Sequence, residues 1–271
     1  MTLRELYSLS KKMLSGASDS PGTEALLVLS AVTGLTKERI LLSFEEQIED
    51  EFSKRVLDLV QLRHDGFPLQ YITKKCHFYG LELCIEQGVF IPRIETEVLV
   101  DLVLELIERE KLKTIVDIGT GSGAIAVAVA LNSNCEVYAT DINEKALLLA
   151  QKNAQRLGAK INFLKGAFLE PVRPFIDKID LIVSNPPYVS TNATLSKDVL
   201  EEPLDALFAG EDGLDFYRQF FKEISLLENK HVVMEFSPEQ RDWMEKLSFF
   251  GKVSFFHDQF GKIRFFHLKI K

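Results

Sequence analysis

From residue 114 onward, short runs that are apolar at nearly every position alternate with longer stretches of helical periodicity. The runs TIVDIG (114–119), EVYATD (136–141), INFLKG (161–166), DLIVS (180–184) and HVVMEF (231–236) predict buried strands. The stretches GAIAVAVAL (123–131) and ALLLAQKNAQRLG (146–158), with segments near 213–228 and 238–249, predict the helices between and after them. KVSFFH (252–257) and RFFHLKI (264–270), joined around Gly261, read as a closing hairpin. Strands apolar on both faces and separated by helices imply an α/β fold. Its sheet is doubly wound and mostly parallel, with seven strands and an antiparallel C-terminal edge.

Upstream the pattern differs. Leu3, Leu6, Tyr7, Leu9, Met13 and Leu14 recur at helical spacing. Ser20 and Pro21 read as an N-cap and first-turn proline of a second helix stopped by Gly34. A further helix is predicted over 51–65, with Gly66 as terminator, and no strand is visible in this part. CHFYGLELCIEQGVFIP then alternates and turns at Gly80 and Gly88, which predicts a short β-hairpin. An amphipathic helix over 95–111 follows. The expected organisation is a small all-helical N-terminal domain over 1–73, a β-hairpin linker over 74–92, and the α/β body over 93–271.

Composition narrows the chemistry. The 271 residues carry 32 basic against 40 acidic side chains, a formal charge of −8. That balance disfavours a surface that coats nucleic acid or anionic membrane. Cys76, Cys84 and Cys135 form no CxxC pair, and the five histidines lie far apart, so neither a disulfide framework nor a dedicated metal site is expected. The start is amphipathic and lacks a signal-peptide core, and the uncharged apolar run over 124–131 is far short of the roughly 20 residues of a membrane span. A soluble, cytoplasmic protein is expected.

Two motifs carry the chemistry. Asp117-Ile-Gly119-Thr120-Gly121-Ser122-Gly123 closes the first strand and opens a helix, a place where glycines let a ligand approach the backbone. Asp141 ends the next strand, 141 − 119 = 22 residues past the first glycine. That is the position of a carboxylate receiving ribose hydroxyls. The loop is GxGxG, not GxGxxG, and has no GK[ST]. Asp117 suits a cation better than a pyrophosphate. S-adenosyl-L-methionine (AdoMet), with an adenosine, an ammonium, a sulfonium and no phosphate, fits these groups.

The second motif, Asn185-Pro186-Pro187-Tyr188, follows the fourth strand of the body and therefore lies on the same rim. Two prolines fix the chain and donate no backbone hydrogen bond. The carbonyl of Pro186 and the amide oxygen of Asn185 are two acceptors suited to both hydrogens of one –NH₂ group. Tyr188 offers a flat face. An amide or exocyclic amine is a poor nucleophile, so catalysis consists of aligning nitrogen, methyl carbon and sulfur and stabilising charge that grows on nitrogen. No histidine base is needed.

DGFPLQYI (65–72), GVFIPRIETE (88–97), DIGTGSGAIA (117–126), SNPPYV (184–189) and EEPLDALFAGEDGLDFYR (201–218) together resemble the peptide chain release factor glutamine methyltransferases, the HemK/PrmC family. The resemblance spans nearly the whole chain. It implies an AdoMet-dependent methyltransferase that forms S-adenosyl-L-homocysteine, needs no metal, and methylates N5 of the glutamine in the Gly-Gly-Gln loop of class 1 release factors. It puts Gly119, Thr120, Gly121, Ser122 and Gly123 around the methionine end of the cofactor and Asp141 on its ribose. Asn185 and Pro186 would grip the glutamine amide, with Pro187 in the same rigid turn and Tyr188 beside it. Phe90 and Arg93 belong to a segment that should close over the site. Three departures stand out. Ile94 replaces the usual proline of IPRPETE, and the glycine often found after the glutamate is missing from MEFSPEQ (234–240). Ala167-Phe168 stands where many relatives have an Asp-aromatic pair, leaving Phe168 to stack on adenine without the acid.

The motifs leave rivals. A nucleic-acid adenine or guanine N-methyltransferase shares the Asn-Pro-Pro-Tyr logic, but would normally need phosphate-binding basic residues. A nicotinamide oxidoreductase is opposed by Asp117 and by the same motif. A non-catalytic AdoMet-binding protein would leave Asn185–Tyr188 without a purpose.

Overall fold

The computed structural model describes all residues 1–271. It divides into two compact units, Met1–Lys75 with Leu195–Glu201, and Cys76–Thr194 with Glu202–Lys271. The sequence placed 195–201 in the α/β body; in the structure this segment groups with the helical unit.

The first unit is helical, with α1 (Leu3–Leu14), α2 (Pro21–Thr33), α3 (Lys37–Leu42), α4 (Asp50–His64) and α5 (Leu69–Thr73). Thr2 caps α1 in a reciprocal arrangement with Glu5, satisfying two amides that the helix leaves open. Ser20 does occupy the N-cap of α2, but its side chain makes no capping bond, and Pro21 supplies the preformed first turn. The helices α3 and α5 escaped sequence reading because six and five residues show too little periodicity. Leu6, Leu14, Val28, Leu29, Val56 and Val60 are fully buried and form the centre of this unit.

The second unit opens with β1 (Lys75–Phe78) and β2 (Leu81–Cys84), a two-stranded sheet. Its two-residue turn, Tyr79-Gly80, has positive φ at both positions (52° and 71°), the geometry that matches the twist of paired strands. The hairpin is built into the α/β unit: Phe78 and Leu83 are buried among its core residues. There follow α6 (Glu97–Glu110), β3 (Thr114–Ile118), α7 (Ala124–Asn132), β4 (Glu136–Asp141), α8 (Glu144–Leu157), β5 (Asn162–Lys165) and β6 (Leu181–Ser184). The chain passes through α9 (Lys197–Leu200) of the first unit and returns with α10 (Asp215–Phe220), β7 (His231–Glu235), α11 (Arg241–Glu245), β8 (Gly251–His257) and β9 (Ile263–Ile270).

The seven strands lie in the order β5-β4-β3-β6-β7-β9-β8. β5, β4, β3, β6 and β7 are parallel, while β9 runs antiparallel to both its neighbours. The antiparallel hairpin expected at the C-terminal edge is therefore present, with its reversed strand on the inside. Successive residues of one strand enter opposite core layers: Val116, Ile118 and Ile182 one, Ile115, Leu181 and Val183 the other. Both faces are covered, which is why these strands read as continuous apolar runs.

Two expected helices are broken. The segment 213–228 is α10 followed by a 3₁₀ stretch over Phe221–Leu227 with a non-helical Glu223 (φ −100°, ψ 19°). The segment 238–249 is 3₁₀, then α11, then 3₁₀ again. The tighter turn rotates successive side chains faster than an α-helix does, and bulky side chains of both segments, Phe220, Leu227, Met244 and Leu247, reach one core layer.

Phe266 sits at the centre of that layer, fully buried and flanked by the rings of Tyr217, Phe221 and Phe236. Phe266→Ala is expected to lower unfolding free energy by about 3–5 kcal/mol. The measurement is a shift of the urea midpoint, and an unmoved midpoint would contradict this account of the core.

Candidate active site

Register builds the site. Asp117 pairs with Ala139 on one side and Val183 on the other, and Ser184 pairs with Met234. Continued one or two residues beyond the strand pairing, the same register sets Asp141, Gly119, Asn185 and Glu235 next to one another across the carboxyl edge of β4, β3, β6 and β7. Strand order reverses between β3 and β6, and open α/β sheets bind ligands at such a switch point. The Ser184 hydroxyl donates to the Ile118 carbonyl at 2.6 Å, tying the two strand ends together.

The loop after β3 is held by backbone bonds. Gly119 and Thr120 both donate to the Thr140 carbonyl at 2.9 Å. Gly121 donates to Asp141 Oδ2 at 2.9 Å, and Asn143 N donates to Asp141 Oδ1 at 2.8 Å. Gly119, Gly121 and Gly123 all have positive φ (70°, 56°, 83°). A Cβ on Gly119 or Gly121 would meet nothing within 4 Å, whereas one on Gly123 would lie 3.0 Å from Ala150 Cβ. The first two glycines thus face open space and the third serves helix packing against α8. Asn153 on α8 braces the loop from behind: its Nδ2 donates to the Ser122 and Cys84 carbonyls while its Oδ1 accepts from Cys84 N.

Asp117 is buried at 1% exposure. Its Oδ2 accepts from the Thr120 hydroxyl at 2.6 Å, and its Oδ1 has no partner. Burial pushes its carboxyl up to about 7, partly offset by the Thr120 bond. Burial also raises Asp141 above the usual range, opposed by its backbone donors. Two buried carboxylates, one with an unpaired oxygen, suit a cationic ligand carrying hydroxyls. Ile142, next to Asp141, is an exposed apolar side chain (68%) on the same rim.

Asn185 Nδ2 donates to Thr96 Oγ1 at 3.0 Å, and the Thr96 hydroxyl donates to Glu235 Oε2 at 2.7 Å. Tyr188 donates its hydroxyl to Glu235 Oε1 at 2.8 Å. Neither Asn185 Oδ1 nor the Pro186 carbonyl makes a hydrogen bond within the protein. Burial, and then the charge of Glu235, raises the Tyr188 hydroxyl far above its ordinary value, so it is no proton acceptor. Burial likewise raises Glu235. Behind the motif, Gln240 Nε2 donates to the Tyr188 and Gly213 carbonyls, both at 2.9 Å.

Phe90 and Arg93 are engaged with each other and with Glu202. The Arg93 guanidinium lies 4.8 Å from the Phe90 ring centroid and pairs with Glu202 Oε1, while Ile91 N donates to Glu202 Oε2 at 2.9 Å. Phe168 adopts a left-handed φ of 48° and its ring lies 5.1 Å from that of Phe216. Sequence reading overlooked Thr96, Glu235, Glu202, Gln240 and Asn153 as parts of this machinery. The first four lay inside quoted motifs, which was the available signal; Asn153 is one polar residue on a helix and had none.

A doubly wound sheet with a glycine loop and Asn-Pro-Pro-Tyr at its switch point defines the chain as a methyltransferase-fold enzyme, and the comparisons agree. Residues 80–210 match the family model "Methyltransferase small domain" and residues 5–73 the model "PrmC N-terminal domain". The catalytic domain of human METTL16, solved in complex with a MAT2A 3′UTR hairpin, superposes with a TM-score of 0.56 at 19% identity, over 82% of this chain and 83% of that one. The chain belongs to the release factor glutamine methyltransferase family. It is 42% identical to the Moorella thermoacetica member over 80% of this chain and 78% of that one, and 41% identical to the Bacillus subtilis member over 87% and 84%.

The Asp117 carboxyl has a raised folded value, about 7, above an unfolded value near 3.9. The folded chain therefore holds this proton more tightly, and its contribution to stability is greatest below about pH 4 and falls as pH rises toward 7. In ligand-free protein, the melting temperature of Asp117→Asn minus that of wild type should become more positive from pH 5 to pH 8. A difference independent of pH would contradict the assigned ionisation.

Proposed function

We propose that this chain transfers a methyl group from AdoMet to the side-chain amide nitrogen, N5, of the glutamine in the Gly-Gly-Gln loop of class 1 release factors. The observation that carries the reading is the pair of unengaged acceptors, Asn185 Oδ1 and the Pro186 carbonyl, next to the glycine loop, in a chain of this family.

The residues fit AdoMet. The open faces of Gly119 and Gly121 admit a ligand against the backbone, and the unpaired Asp117 Oδ1 favours positive charge there. Thr120, Ser122 and Gly123 complete the turn around the methionine end. Each Asp141 oxygen keeps a lone pair beyond its backbone donor, enough to accept ribose hydroxyls. Ile142 gives an adenine an apolar surface, and Phe168, whose ring packs against Phe216, is the aromatic assigned to stack on it. Phe90 and Arg93 are held to each other and to Glu202 in the segment that leads to Thr96.

When bound, AdoMet supplies a methyl group on a sulfonium, with a neutral thioether as leaving group. Asn185 Oδ1 and Pro186 O accept the two amide hydrogens and turn the nitrogen toward the methyl position. By accepting, they also stabilise the positive charge that develops on nitrogen, which is discharged when one of its N–H protons leaves to water during or after transfer. Pro187 stiffens the turn and Tyr188, anchored through its hydroxyl, lays a ring beside the planar amide. The helical unit over 1–73 serves substrate recognition, and the chain runs from it through the hairpin, which packs in the α/β core, into the catalytic unit. The reading implies action in the cytoplasm, on protein and not on nucleic acid.

Asp141→Ala should weaken AdoMet binding about tenfold or more, since a charge-assisted hydrogen bond contributes on the order of 1.5–3 kcal/mol; calorimetry that finds unchanged affinity would remove the ribose assignment. Asn185→Ala should stay folded, bind AdoMet normally, and lose roughly a hundredfold or more in turnover. With labelled AdoMet, an intact release factor should take up label, while duplex DNA, RNA and the factor with its loop glutamine changed to alanine should not. Efficient labelling of nucleic acid would instead favour an amino-methyltransferase of the adenine type.

A further inference from the structure

The orientation of the Asn185 amide follows from its neighbours' chemistry. Thr96 Oγ1 stands between Asn185 at 3.0 Å and Glu235 Oε2 at 2.7 Å. A hydroxyl has one proton, and a carboxylate can only accept. The second Glu235 oxygen is occupied by the Tyr188 hydroxyl, and both contacts are buried or nearly so. With Glu235 ionised, the form that its two hydroxyl donors and the nearby Arg264 charge favour against burial, Thr96 donates to Glu235 and accepts from Asn185, and the Asn185 atom it faces is nitrogen. Oδ1, on the side of the amide away from Thr96, is then the acceptor left for a ligand.

We propose that Thr96 and Glu235 are positioning residues, which fix the Asn185 amide with its oxygen toward the substrate, so that Asn185 Oδ1 and the Pro186 carbonyl face it as a pair of acceptors. This rests on Asn185 gripping the acceptor amide, as read above. The consequence is selectivity for a group presenting two N–H bonds. A flipped Asn185 would point its own N–H groups at those of glutamine, and a carboxylate side chain would face two acceptors with nothing to donate. An amide has two nearly isosteric orientations, so shape alone does not choose between them; the Thr96 hydroxyl does. Thr96 also sits on the turn Ile94–Thr96 that leads into α6, and Glu235 on the end of β7. The selector thus bridges two elements beside the strand that carries Asn185.

The test measures methyl transfer to an intact release factor, with AdoMet affinity by calorimetry, for Thr96→Val, Thr96→Ser, Glu235→Gln, Asn185→Ala and the double variant Thr96→Val/Asn185→Ala. Thr96→Val keeps the shape and removes the proton. It should lower kcat about tenfold or more with AdoMet affinity within about twofold, and Thr96→Ser should restore kcat to within about threefold of wild type. In the double variant, Thr96→Val should cost nothing beyond Asn185→Ala, because there is no amide left to orient. Glu235→Gln should reproduce the kcat loss and carries the test if Thr96→Val fails to fold. Normal turnover in Thr96→Val or Glu235→Gln, a serine variant as slow as the valine one, or fully additive losses in the double variant would overturn the proposal. Normal turnover in Asn185→Ala would instead overturn the reading of Asn185 itself, so the two failures are distinct.

Discussion

The parallel register between β3 and β6 is the constraint on which the site depends. It sets Asp117 against Val183 and so brings the loop at Gly119 beside the turn at Asn185. A slip of one residue would send every side chain of one strand to the opposite core layer. That is prohibitive here, because Ile115, Val116, Leu181, Ile182 and Val183 are all buried. Hydrophobic packing far from the chemistry therefore sets a geometry of hydrogen-bonding groups that packing alone could not recognise. The Ser184–Ile118 bond finishes the alignment at the rim.

Around that seam the molecule carries charge that its fold does not need. Asp117, Asp141 and Glu235 are buried at the carboxyl edge of the sheet, and burial raises all three. Each would be less costly as a neutral residue in the ligand-free protein. Their arrangement makes sense as a division of labour: Asp117 and Asp141 flank the loop, while Glu235 spends both oxygens on hydroxyl donors that steady the Asn185 turn. Stability is given up where the ligand and the acceptor amide meet.

Rigidity comes from braces behind the rim. Asn153 ties β2 to the glycine loop, and Gln240 ties the Tyr188 carbonyl to Gly213. Gly213 is required there for a steric reason: a Cβ would lie 2.2 Å from the Tyr188 carbonyl oxygen, and its φ is 71°. Glu202 does the same for the segment around Ile91 and Arg93, accepting from a backbone amide and pairing with a guanidinium.

The order of strands and helices, the glycine loop and the position of Asn185–Tyr188 at a strand end were legible in the sequence, because each depends on neighbours a few residues away. Local periodicity says whether a segment is strand or helix, and a turn's chemistry is written within it. The breaks in 213–228 and 238–249, and the helices α3 and α5, were not legible, since they answer to packing or are too short to show a period. The grouping of 195–201 with the helical unit was likewise invisible. The orientation of Asn185 is the clearest case. It is set by Thr96, 89 residues earlier, and through it by Glu235, 139 residues beyond Thr96. The sequence determined which groups could do the chemistry. Only the tertiary structure decided which way they point, because a hydrogen bond's direction depends on partners that folding alone brings within 3 Å.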